Sequence, residues 1–123
     1  MKPVQASQTY PRLTVYSEER YGGASRIYRG NLGIRDTDRI LDGFESLRFF
    51  STSSTATLVV FSETRFRGNY RVYRGSVRNL PDLDDLIGGE DVESLISTNQ
   101  SLTDAQIREI RRTGSLPAGY RLL

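Results

Sequence analysis

Three carboxylates stand close together in one stretch of the chain, Asp82, Asp84 and Asp85. Two acids can divide general-acid and general-base roles in a hydrolysis when their surroundings separate their pKa values. No aromatic sugar platform adjoins these three in sequence, and an acidic first helical turn explains them without catalysis. Composition closes most other routes to chemistry. The 123 residues include no Cys and no His. That removes disulfides, thiolate zinc sites and cysteine nucleophiles, and with them Ser-His triads, imidazole bases and His-ligated metals. Gly22-Gly23 and Gly88-Gly89 are not phosphate loops, since neither follows a strand as a Gly-x-Gly turn that opens a helix. The expectation is a protein that is not an enzyme.

Charge narrows the partners. Seventeen basic and 15 acidic residues leave a net charge of +2, little for a protein that tracks phosphates. The reading therefore expects no nucleic acid. All the basic residues but Lys2 are Arg, the cation that stacks on aromatic rings and forks onto carboxylates. The longest apolar run, Leu58–Phe61, is far short of the roughly 20 residues of a membrane helix. Residues 1–11 hold one Lys and no apolar stretch of the secretory kind. The expected location is cytoplasmic by default, with no membrane, and a surface or coat location stays open.

The elements that position these side chains come in two copies. Tyr16–Gly30 aligns with Phe61–Gly75 at an offset of 45, with eight of 15 positions identical and three more Tyr/Phe or Ile/Val exchanges. Farther on, Phe44-Glu45-Ser46-Leu47 answers Val92-Glu93-Ser94-Leu95 at an offset of 48. Each copy opens with a β-branched and aromatic run, Leu13–Tyr16 or Thr57–Phe61, then a polar turn with Gly23 or Gly68. Arg-Ile-Tyr-Arg or Arg-Val-Tyr-Arg follows with the alternation of a half-buried strand. A weaker stretch and a closing strand from Ser46 or Ser94 complete the unit. Four strands per copy predict about eight strands, packed as an all-β sandwich of two antiparallel sheets. Asn79–Gly89 reads as one or two helical turns capping the sandwich, ended by the double Gly.

Beyond Ser97 the repeat stops. Ser101-Leu-Thr-Asp104 reads as a capping box, Gly114 as a C-cap, and residues 102–113 as a short helix. Leu102, Ile107 and Ile110 share one arc, with Arg108 and Arg112 opposite. That arc is to be buried on the protein's own sheet or on a second copy, and the reading leans to a second copy. Three segments result: an N-terminal arm at 1–12, a domain at 13–98 (first motif about 13–54, second about 55–98) and a C-terminal helical extension at 99–123.

The doubled aromatic-x4-aromatic-x-Gly hairpin, each with a later Ser, resembles the signature of the βγ-crystallin family, in its microbial form with two Greek-key motifs. The resemblance covers about residues 12–98. It implies that each hairpin folds onto its sheet, with the first aromatic beneath it and the late Ser bonded back to it. Tyr16, Tyr21, Gly23 and Ser46 would play these parts in the first motif, and Phe61, Phe66, Gly68 and Ser94 in the second.

Many microbial members carry two calcium sites built on Asn/Asp-Asn/Asp-x-x-Ser/Thr-Ser, a hard-oxygen donor set. The matching segments here are Leu41-Asp42-Gly43-Phe44-Glu45-Ser46 and Gly89-Glu90-Asp91-Val92-Glu93-Ser94. The first acidic position is Leu or Gly, and the hydroxyl position is Glu in both copies. Asp42 matches cleanly and Glu90 is a longer approximation. With Glu45, Glu93 and the hairpin residues Glu18 and Glu63, these are the residues that would supply oxygens. The degenerate pattern leads to an expectation of no bound metal or cofactor. The family implies a structural, non-enzymatic protein associated with stress or dormancy. The alternatives are a self-assembling coat or fibre component, or a protein-binding module of toxin or inhibitor type, with homo-oligomers formed through the terminal segments.

Overall fold

The computed structural model describes residues 9–123; of the expected N-terminal arm, residues 1–8 lie outside the described residues. The first sheet contains β1 (Arg12–Glu18), β2 (Gly22–Arg29), β4 (Ser46–Phe50) and β7 (Val77–Leu80), in the order β2-β1-β4-β7. The second contains β5 (Thr57–Glu63), β6 (Arg67–Arg74), β8 (Ser94–Thr98), β3 (Leu32–Ile34) and β9 (Arg121–Leu122), in the order β6-β5-β8-β3-β9. The third strand of each repeat has therefore crossed to the other sheet. β3 pairs with β8 of the second motif, and β7 with β4 of the first. Each motif completes the other's sheet, so a Greek key closes only with its partner motif in place.

Alternation along the strands builds the core. Leu13, Val15, Leu47 and Phe49 of the first sheet meet Leu32, Ile34, Leu58, Val60 and Leu95 of the second, all fully buried. The alternate residues of the second sheet are apolar too. Val59, Phe61 and Ile96 point outward into a second core with Phe66, Leu102, Ile107 and Ile110. That core lies beneath α1 (Asp104–Thr113), which places the amphipathic arc on the protein's own second sheet. Tyr120 and Leu116 also pack there, and the Tyr120 hydroxyl reaches Thr98 Oγ1 at 2.8 Å. The chain end then runs parallel to β3, with Leu123 N–H donating to Gly33 O at 2.8 Å.

Three local expectations are corrected. The helix cap is Thr103, not Ser101, because Gln106 reciprocates: Gln106 N–H donates to Thr103 Oγ1 at 3.1 Å and Thr103 N–H to Gln106 Oε1 at 2.8 Å. The extension is not only helical, since β9 adds a ninth strand at the edge of β3. Within 79–89 the only helical element is a 3-10 turn at Leu83–Asp85, and Asn79 and Leu80 belong to β7. Among the described residues no helix is long and apolar enough to cross a membrane.

Candidate functional site

Each hairpin is closed by one buried serine. In the first motif Ser46 Oγ donates to Glu18 O at 2.6 Å and accepts from Tyr21 N–H at 3.0 Å. In the second, Ser94 Oγ donates to Glu63 O at 2.6 Å and accepts from Phe66 N–H at 3.0 Å. The hydroxyl satisfies both a donor and an acceptor that the turn leaves without backbone partners. The fold in each hairpin needs two consecutive non-Gly residues in the left-handed region: Arg20 and Tyr21 at φ 57° and 62°, Arg65 and Phe66 at 62° and 64°. Gly23 (φ 75°) and Gly68 (φ 85°) follow, and a Cβ at either would fall on the hydroxyl of Ser17 or Ser62. Those hydroxyls accept from Ala24 and Asn69 N–H, both at 2.9 Å.

The hairpins are also tied across the motifs. Arg20 N–H donates to Pro81 O at 2.8 Å, and Arg65 N–H to Arg35 O at 2.9 Å. These contacts bring each hairpin against an Asp-x-Asp turn of the other motif. Asp36 accepts from Asp38 N–H at 3.1 Å and Asp82 from Asp84 N–H at 3.0 Å, so the same turn occurs twice. Carboxylates gather as a result. Oxygens of Asp36, Asp38 and Glu93 lie within 4.8 Å of one another, as do those of Glu19, Asp82 and Asp84.

Between the two turns runs a narrow groove of about 50 Å³ whose carboxylates are Asp38, Glu45, Asp84, Asp91 and Glu93. Crowding of like charge shows in their proton affinities. A hydrogen bond that protonated Asp84 donates to Asp91 is the main cause that pushes Asp84 up to about 6, with burial and the charges of Glu45, Asp91 and Asp82 adding to it. Burial raises Glu45, helped by Asp91, Glu19 and Asp82. Burial likewise raises Glu93, helped by Asp38, Asp91 and Asp36.

Of the six oxygen donors named from sequence, only Glu45 and Glu93 enter this groove. Glu18 and Glu63 give their carbonyls to the serines, Glu90 accepts from Asn69 Nδ2 at 2.9 Å, and Asp42 lies exposed in a turn. Among the described residues, none of these four joins a group of three acidic side chains. Sequence reasoning missed Asp36, Asp38 and Asp91. The signal was present in Asp36-Thr-Asp38 and Asp82-Leu-Asp84, the same triplet in both repeats. Carboxylate oxygens are what a hard divalent cation takes, so the donors suit calcium in kind. Three side chains, however, fall short of its roughly six to eight ligands.

The comparisons bear on the fold. No family model matches the sequence, and no curated protein is similar to it. Solved structures do match. One, described under the evolution of the eye lens βγ-crystallin domain fold, is 20% identical over 78% of this chain and 93% of its own, with a TM-score of 0.54. Spherulin 3a from Physarum polycephalum is also 20% identical, over 78% of this chain and 90% of its own, with a TM-score of 0.51. With the exchanged third strands and the doubled serine-closed hairpin, these likenesses give the chain the βγ-crystallin fold.

Proposed function

We propose that the chain is a structural, non-enzymatic βγ-crystallin-like protein, of the stress- or dormancy-associated kind that the resemblance implies. The observation that carries this reading is the pair of serine-closed hairpins tied across the motifs, a device that fixes shape and leaves both hydroxyls occupied. Two further features support it. The apolar arc of the extension is spent on the protein's own sheet, and the acidic groove, at about 50 Å³, is too small for an organic substrate.

The gathering of Asp36, Asp38 and Glu93 favours a second reading, in which a divalent cation relieves the repulsion. Glu19, Asp82 and Asp84 would hold a second ion in the same way. With three protein ligands per site, binding at the weak, millimolar end is expected. The test is a thermal melt and a calorimetric calcium titration of chelator-stripped protein. The stripped chain should melt cooperatively, move little with calcium and show no site tighter than about a millimolar dissociation constant. A stripped chain that is unfolded until calcium is added would overturn the first reading in favour of the second.

A further inference from the structure

The net charge of +2 conceals a strong separation of charge. While carboxylates collect in the groove, arginines collect around the second hairpin. On one side of it Arg35, Arg39 and Arg65 line a hollow of about 310 Å³. On the other, Arg67 joins Arg108, Arg111 and Arg112 of α1 around a hollow of about 420 Å³. The two hollows flank the same short turn, since Arg65 and Arg67 are two residues apart and Arg65 N–H is bonded to Arg35 O at 2.9 Å. All seven arginines are exposed.

Few of these charges are answered. Asp36 lies 3.8 Å from Arg39, and Glu109 holds Arg112 at 2.6 Å. Among the described residues Arg35, Arg65, Arg67, Arg108 and Arg111 form no ion pair. Arg111 is held in place by its Nε donating to Gly68 O at 2.6 Å and by the Tyr70 ring, whose centre lies 5.8 Å from its guanidinium carbon. The last turn of α1 sets Arg111 and Arg112 beside one another, on a helix docked through the buried Ile107 and Ile110. Five exposed guanidinium groups without an ion pair, set around one turn, create a local positive potential that attracts a polyanion.

Against the expectation of no nucleic acid that the net charge alone gives, we propose that this band binds the phosphate backbone of a nucleic acid without reading its sequence. Guanidinium forks pair phosphate oxygens two at a time, and a row of them suits a polymer whose charges repeat every few ångströms. Anionic membrane is the competing polyanion, and the observations disfavour it. The band is concave on both sides of the turn, and among the described residues its lining holds Asp36, Thr64 and Gly68 but no apolar side chain to insert. Among the described residues the large exposed hydrophobics are Ile27 and Leu122, on β2 and β9. The acidic groove beside Arg35 and Arg39 repels phosphate and so bounds the track on that side.

The test is fluorescence anisotropy of the full chain with a labelled mixed-sequence DNA duplex, titrated over a range of salt. Binding should weaken with a slope of log K on log salt near −4 to −5, about five phosphates at −0.9 each. An unrelated duplex sequence should bind equally well. Arg67→Glu/Arg108→Glu should lose at least tenfold in affinity and lower the slope by about 2. Arg26→Glu/Arg78→Glu, with the same net charge but both changes on the first sheet, should bind nearly as wild type; matching circular dichroism melts exclude unfolding of either variant. Absence of binding at low salt overturns the proposal. So do equal losses in the two variants, and so does co-sedimentation with phosphatidylserine vesicles without binding to duplex, which would reassign the band to membrane.

Discussion

The two sheets carry the same aromatic pair on their outer faces, and only one pair is covered. Tyr16 and Tyr21 meet edge to face with ring centres 5.5 Å apart, Phe61 and Phe66 with centres 5.9 Å apart. The tyrosines are half-buried, while Phe61 and Phe66 are 0% and 1% exposed beneath α1. Neighbouring residues follow the difference. Thr14 and Arg48 stand on the open face where Val59 and Ile96 stand on the covered one, by the register of β1 with β4 and of β5 with β8. On the open face Arg48 lies 3.8 Å over the Tyr21 ring, and Arg12 and Arg78 stack on Phe50. A guanidinium covers an aromatic face while keeping its own charge in water. One duplicated unit has thus met the same exposed ring with arginine in one copy and with a helix in the other.

The most direct way to break this comparison is to remove the cover. Cutting the chain after Thr98 deletes Leu102, Ile107 and Ile110, three buried aliphatic side chains worth roughly 1.5–3 kcal/mol each. It also bares Val59, Phe61, Phe66 and Ile96. The truncated chain should melt far below the full one and self-associate in sedimentation, because a large apolar patch is left in water. An unchanged melt would mean that the helix contributes nothing to the second motif.

Next in size is the pair Phe61→Ala and Tyr16→Ala, the same position of the two hairpins. Phe61 is fully enclosed, so its loss should cost about 3–5 kcal/mol. Tyr16 faces solvent on one side and should cost about half as much. Chemical denaturation of both variants measures the ratio. Equal costs would show that the helix adds no burial energy to the aromatic beneath it.

The hairpins were legible from sequence because their signals are local and doubled: aromatic spacing, glycine and serine all fall within one repeat. The exchange of third strands was not. Leu32–Ile34 and Val77–Leu80 are short, and nothing in them names a partner, which is decided by the pairing of the two motifs across the core. The resting place of α1 was written in the strand instead of the helix. Leu58-Val59-Val60-Phe61 is apolar on both faces, where Leu13-Thr14-Val15-Tyr16 alternates, and a strand apolar on both sides must be covered on both. The acidic groove escaped because its carboxylates come from four separate stretches of chain, brought together only when the hairpins dock.

The smallest expected effect separates the two Asp-x-Asp turns. The first lies among arginines, with Arg39 3.8 Å from Asp36. The second has none in sequence beside it, and its Asp84 is raised from an ordinary 3.8 to about 6, chiefly by the hydrogen bond to Asp91. A carboxyl whose pKa is raised on folding favours the folded state in its protonated form. That contribution is complete below about 3.8 and is lost as pH rises through about 6. Above that range the ionised Asp84 repels Asp91, Glu45 and Asp82. Asp84→Asn keeps the neutral form at every pH, so it should raise the melting temperature by a few degrees at pH 7.5 and by little at pH 4. Asp38→Asn, in the turn with arginine neighbours, should gain less at pH 7.5. The comparison is read from melts of the two variants and the wild type at both pH values. A gain for Asp84→Asn that is the same at pH 4 and pH 7.5 would show that its carboxyl carries no charge penalty, and equal gains in the two turns would show that the arginines do not distinguish them.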